Sequence, residues 1–184
     1  QTEAEHLRGG LRTESTVRRN QESILSRPVH PKRSLFVAGS TGATGRTLLP
    51  LAEEQSVDLV PHLRPATAER LGESVPDRGA VLDLEDTPGL RSVLGDRTTL
   101  VQLIGTTKRR FHRGDTYESS DIGTTRSLVA AARGTGVDHV VLLSSVGAGR
   151  PAGAYLKAKA EAERIVVESG IDWTIFRPSA FIGA

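Results

Sequence analysis

The chain has 184 residues, enough for one domain with a substantial core, and its 37% hydrophobic and 25% charged content is that of a globular protein. A net charge of +2 gives no reason to expect a nucleic-acid partner, and the complete absence of cysteine excludes disulfides, thiolate nucleophiles and cysteine-based zinc sites. No apolar run approaches the roughly 20 residues that span a bilayer, and the first thirty residues hold no signal-peptide apolar core, so no membrane span is expected and a cytoplasmic location is.

Residues 1–33 scatter Arg8, Arg12, Arg18, Arg19, Arg27, Lys32 and Arg33 among Glu, Ser, Thr and Gln, and Pro28 and Pro31 set them apart from the rest of the chain. They are expected to form a flexible basic tail, with contact to a protein partner as its one candidate role. From residue 34 to 184 one domain is expected. Leu35–Ala38 is a short buried-type strand that runs straight into Gly39-Ser40-Thr41-Gly42-Ala43-Thr44-Gly45. Residues 46–54 read as a helix despite Pro50, 57–63 as a strand despite Pro61, and 66–71 as a short helix. A brief strand, Ala80–Leu82, ends at Asp83; residues 87–94 are helical, with Pro88 at an early position that suits it. A fourth strand covers 99–104, a helix 117–133, a fifth strand 139–143 that ends in Ser144-Ser145, an Ala/Glu/Lys-rich helix 154–168, and a sixth strand 173–176, with Trp173 expected in the core.

Strands and helices alternate, and the strands are apolar without strict polar alternation. Both faces are then covered, which predicts an α/β fold of Rossmann type: an open parallel sheet with helices on both faces. Within it, Gly39-x-x-Gly42-x-x-Gly45 has the spacing of a dinucleotide loop. The backbone turns sharply from strand to helix, approaches a pyrophosphate with no Cβ in the way, and presents the amide end of the next helix to the anion. Thr41 and Thr44 can add hydroxyl donors, and Ala43 and Arg46 flank the turn. The second strand ends His62-Leu63-Arg64 without the carboxylate that commonly holds an NAD ribose. Arg64, helped by Arg46, would instead face a 2′-phosphate, so NADP(H) is favoured over NAD(H).

Tyr155 and Lys159 are four apart in a helix and share one face. A free phenol has a pKa near 10, and a neighbouring ammonium lowers it and makes the phenol a usable proton relay. Ser144 and Ser145 fall on the carboxyl edge of the sheet, where ligands of such folds bind. The basic run Lys108-Arg109-Arg110 with Arg113 reads as a solvated loop, Asp58, Asp138 and Asp172 as turn residues on the opposite edge, and His62, His112 and His139 have no metal-ligand spacing, so no metal is expected.

Taken together, Val37–Arg46, Leu103-Ile104-Gly105-Thr106-Thr107, Leu142–Ala148, Tyr155–Lys159 and Phe176-Arg177-Pro178 resemble the short-chain dehydrogenase/reductase superfamily, closest to its atypical, NmrA-like group that includes relatives of the Tat-interacting oxidoreductase. The resemblance spans about residues 34–184. It implies that Asp83 and Leu84 contact the adenine, that Leu103, Gly105 and Thr106 line the dinucleotide, and that Pro178 lies close to the nicotinamide. Tyr155 would be the general acid/base, Lys159 its electrostatic partner and a holder of the ribose, and Ser145, or failing that Ser144, the third member. Family members usually continue further, so the segment that shapes the substrate pocket is expected to be missing, and the chain, which starts at Gln1 and has no methionine, is expected to be processed or a piece of a longer one. The expected activity is NADP(H)-dependent hydride transfer to or from a small-molecule carbonyl or alcohol. The competing expectation is a sensor or scaffold that binds NAD(P)H without turning it over.

Overall fold

The computed structural model describes residues 33–105 and 116–179. The chain divides into two units, 1–32 and 33–184; the first, and with it all of the basic tail but Arg33, lies outside the described residues. Six strands, β1 (Ser34–Ala38), β2 (Asp58–Leu63), β3 (Ala80–Val81), β4 (Thr99–Gln102), β5 (His139–Leu143) and β6 (Asp172–Phe176), form one sheet in the order β3-β2-β1-β4-β5-β6. All five pairings are parallel. The order reverses between β1 and β4, which opens a crevice at their carboxyl ends.

The helices are α1 (Ala43–Glu54), α2 (Pro65–Leu71), α3 (Thr87–Leu94), α4 (Thr124–Ala132) and α5 (Gly153–Val167). Phe36, Leu100, Val140 and Leu142 bury one face of the sheet in a core with Leu90 and Leu94 of α3, Leu128 of α4 and Val166 of α5. Val37, Leu59 and Val101 face the other way, against Ala52, Leu48 and Leu49 of α1. The expected two-sided arrangement is thus what the chain adopts.

The prolines find tolerant places. Pro50 lies on the exposed side of α1, where water can serve the carbonyl it frees. In β2 the Leu63 carbonyl accepts from Leu82 N, so Pro61, two residues earlier, turns the same edge outward. β3 pairs only with His62 and Leu63, and no partner asks Pro61 for a donor.

Three expectations change. Helix α1 starts at Ala43, inside the glycine motif, and the helix expected over 117–133 opens with a π-helical stretch, Glu118–Gly123. There the Thr125 hydroxyl donates to the Asp121 carbonyl at 2.6 Å, the Thr124 hydroxyl to that of Ser120, and the Gln102 amide reaches both threonines at 3.0 and 3.2 Å. Side chains satisfy carbonyls that α-helical amides would otherwise take. Trp173 is also not core: it is 45% exposed, on β6, the last strand of the sheet among the described residues. Asp58 and Asp138 do sit at the amino edge, in ion pairs with Arg78 and Arg97 and with Arg33. Among the described residues no helix is long and apolar enough to cross a membrane, and no group of three or more His, Cys, Asp or Glu could hold a metal ion.

Candidate functional site

The three glycines of the β1–α1 turn differ in what requires them. Gly39 has φ +90°, and a Cβ there would lie 2.9 Å from the backbone of Leu103 and Ile104 beyond β4. A Cβ at Gly45 would lie 2.3 Å from the Ser40 carbonyl oxygen. The protein's own packing therefore demands both. Gly42 has an ordinary extended conformation, and a Cβ there would meet only the Gly39 oxygen, at 3.2 Å. Its bareness leaves room for a group from outside.

Gly42 is the N-cap of α1; no side chain caps the helix and no acid lies in its first turn. The amides and positive dipole end thus face the crevice without an internal anion, a fit for a pyrophosphate. Ser40, buried, donates to the His62 carbonyl at 2.6 Å and pins the turn to β2. Thr41 and Arg46 are exposed and Thr44 and Ala43 lie beside them, with Arg46 Nη1 donating to the Thr41 carbonyl at 2.9 Å.

Next to the turn, a pocket of about 250 Å³ is lined by Ser40, Thr41, Arg46, Leu63, Thr67 and Arg70, with Leu49, Pro61, Leu71, Ser74 and Pro76 completing its wall. Among the described residues no carboxylate lines it. Arg64 follows β2 as the exposed N-cap of α2. Asp83 is exposed, but the Leu84 side chain is packed in the main core, so the expected adenine contact does not extend to that side chain.

His62, buried beneath this pocket edge, hydrogen-bonds through Nε2 to the Leu82 carbonyl at 2.9 Å. Burial holds its pKa below the ordinary 6.5, the Leu82 bond opposes this, and Arg64 adds to it. The unfolded chain takes up the proton first, so stability is complete above about pH 6.5 and falls as pH drops below it. Melting temperatures between pH 7.5 and 5.5 should show this loss, and His62→Gln should flatten it. The Glu163 carboxyl, held low by Arg177, titrates below 4.5 and stays outside that window.

On the far side of the crevice, Tyr155, Lys159 and Glu163 fall four apart on one face of α5. Lys159 Nζ lies 2.8 Å from Asp121 Oδ1, with the side chains 7% and 0% exposed. The ammonium also donates to the Leu143 carbonyl at the end of β5, at 3.2 Å, and stands 6.0 Å from the centroid of the Tyr155 ring. The Tyr117 ring packs tilted against Tyr155, at 5.7 Å. Gly105 covers the ion pair: a Cβ there would come within 2.9 Å of Nζ.

The two serines separate. Ser144 is buried and its hydroxyl donates to Glu163, which Arg177 grips at 2.8 and 2.5 Å. It is occupied in structure, which corrects its place as a stand-in. Ser145 is half-buried and bonds only weakly to the neighbouring Val146 carbonyl, at 3.3 Å. Beyond the strands, Val146 N donates to the Pro178 carbonyl at 3.0 Å and draws Pro178 to the same edge. Thr106 and the basic run after it lie outside the described residues.

The glycine turn, Ser145, Lys159 and Pro178 thus lie along one edge of the sheet, whereas the Leu84 side chain is in the core and Arg64 is not among the residues that line the pocket. Leu103–Gly105 joins the two halves of that edge, touching Gly39 at one end and Lys159 at the other. Sequence reasoning missed Asp121, Tyr117, Glu163 and Arg177. One signal existed for Asp121: it lies on the stripe of Thr125, Leu128 and Ala132, all buried, where an acid needs a buried partner.

A sequence profile for a family described as NAD(P)H-binding matches residues 39–183. Protein FMP52, mitochondrial, of Candida albicans is 26% identical over 157 residues, covering 82% of this chain and 68% of its own. Protein TIC 62, chloroplastic, of Pisum sativum is 31% identical over 170 residues, covering 78% of this chain and 32% of its own. Among solved structures, UDP-glucuronic acid 4-epimerase from Bacillus cereus, in complex with UDP-glucuronic acid and NAD, superposes with a TM-score of 0.60 at 18% identity. The alignment covers 78% of this chain and 55% of that one, so this chain spans about half the epimerase's length, and the likeness is one of fold.

Proposed function

Because the chain belongs to the NAD(P)H-binding family, we propose that it is an NADP(H)-dependent oxidoreductase that interconverts a carbonyl and an alcohol on a small-molecule substrate. The observation that carries this reading is the bridge at Leu103–Gly105, which sets an uncapped helix end and a buried ammonium beside Tyr155 on one crevice.

The bare backbone at Gly42 and the first amides of α1, with Thr41 and Thr44, hold the pyrophosphate. Arg64, with Arg46 and Arg70 of the pocket wall, would receive a 2′-phosphate, since guanidinium groups match phosphate oxygens and no carboxylate is among the described residues that line the pocket. Lys159 would hold the nicotinamide ribose, and Pro178 would lie close to the nicotinamide. The nicotinamide, when bound, supplies the hydride or accepts it. In the reducing direction Tyr155 gives its hydroxyl proton to the substrate oxygen and regains one from solvent, and the carbonyl becomes an alcohol; the oxidising direction runs in reverse. Lys159 stabilises the phenolate in between, and the Ser145 hydroxyl orients the substrate oxygen.

Fluorescence titration tests the cofactor. NADPH should bind at least about tenfold more tightly than NADH, a difference of about 1.4 kcal/mol. Arg64→Ala should erase the preference while leaving NADH affinity unchanged. Equal affinities in the unaltered protein would reject the NADP(H) reading.

A further inference from the structure

We propose that the pocket between α1 and α2 is a regulatory site for a small aromatic carboxylate, whose acid group takes the arginines that the 2′-phosphate of NADP(H) would use. Displacement of NADPH rests on the cofactor reading above; the site itself does not. The pocket holds about 250 Å³. That is below the roughly 300–1,000 Å³ that encloses a drug-sized ligand. An apolar cavity of about 150 Å³ already takes one benzene ring. A fused pair of rings is therefore the size that fits.

The lining has two zones. Leu49 of α1, Pro61 and Leu63 of β2, Leu71 of α2 and Pro76 form apolar walls. Pro61 and Leu63 are buried and make the floor. The Ser40 hydroxyl, in the same lining, is spent on the His62 carbonyl at 2.6 Å. Arg46 and Arg70 lie at exposed positions on the rim, one from each helix. Arg46 donates to the Thr41 carbonyl, and neither arginine pairs with a carboxylate among the described residues. A phosphate can use the guanidinium groups but gains nothing from the apolar walls. A ligand matched to both zones has a flat apolar body, which sheds water on entry, and one carboxylate, which the guanidinium forks receive in plane. The acid and the 2′-phosphate then compete for the same arginines, whereas NADH, which has no such phosphate, binds beside the acid.

Ligand-observed NMR titration of the whole chain with 1-naphthoate tests the site without requiring turnover. A Kd of about 1 mM or tighter is expected. The amide 1-naphthamide keeps the rings and loses the charge, and it should bind at least about tenfold more weakly. Leu71→Trp, which puts an indole into the pocket, should weaken naphthoate at least about tenfold and leave NADH affinity within about twofold. If that variant does not fold, Leu49→Phe fills the pocket from the opposite helix and is read in the same way. Naphthoate at about ten times its Kd should raise the apparent Kd of NADPH about tenfold and leave that of NADH within about twofold. No binding in the millimolar range, equal affinity for the amide, or undiminished binding in the pocket-filling variant overturns the proposal. So does a clear preference for NADPH over NADH that naphthoate leaves undisturbed. Naphthoate binding that Leu71→Trp removes, in a protein that binds NADPH and NADH equally, would support the site and reject the NADP(H) reading.

Discussion

Gly42→Ala is expected to weaken NADPH binding at least about tenfold, a loss of about 1.4 kcal/mol or more, while the protein stays folded. Three glycines that look alike in sequence have different surroundings, and the difference decides what a methyl does at each. At Gly42 an added Cβ meets only one carbonyl oxygen, at 3.2 Å, so the neighbour needs to give by a few tenths of an ångström and the native fold survives. The methyl then projects at the mouth of α1, where the anion must come close to bare backbone. Gly45→Ala should behave in the opposite way. Its Cβ would stand 2.3 Å from Ser40 O and 2.5 Å from Gly39 O, both backbone atoms that cannot swing aside. Overpacking of this kind costs about 3 kcal/mol, which lowers Tm by roughly 6–12 °C for a chain of this size. Thermal melts and NADPH titrations on the two variants should therefore separate a binding defect from a folding defect. Undiminished NADPH affinity in Gly42→Ala would mean that no phosphate approaches there.

Tyr155→Phe carries the second large effect. Removal of one hydroxyl should lower kcat by about 10²–10⁴, the range that a positioned general acid contributes. The phenylalanine ring keeps the tilted packing on Tyr117 and remains near the Lys159 ammonium, so NADPH affinity should change by less than about twofold. The measurement is steady-state oxidation of NADPH against a panel of small carbonyl compounds, with a parallel binding titration. Turnover by Tyr155→Phe equal to the unaltered protein would remove Tyr155 from the chemistry. If no carbonyl in the panel is reduced by either protein while both bind NADPH, the sensor or scaffold reading takes over.

The outcome of both experiments depends on features of very different legibility. Apolar runs between glycine and proline punctuation identify the strands because the inner strands of a parallel sheet covered on both sides bury both faces, and that composition is local. The glycine spacing and the Tyr-x-x-x-Lys spacing are also local, since a strand-to-helix turn and one helical turn each fit within a few residues. Helix α5 and its Tyr155–Lys159 face are therefore found where the pattern puts them, with the helix displaced by one residue at each end.

The partners of those residues are not local. Lys159 answers Asp121 on another helix, Ser144 is taken by Glu163 of α5, which Arg177 beyond β6 grips in turn, and Gly105 is small because an ion pair lies under it. Trp173 is exposed on β6, the last strand of the sheet among the described residues, and Leu84 is buried because its turn folds into the main core. The sequence by itself determined the order of elements, the parallel sheet, the glycine turn between β1 and α1 and the shared helix face of Tyr155 and Lys159, because backbone propensity and side-chain periodicity act over short stretches of chain. Tertiary structure alone decided which serine stays available, where the π-helical turn forms and which carboxylate holds the lysine, because burial makes each charge and hydroxyl seek whichever partner the sheet order brings within about 3 Å.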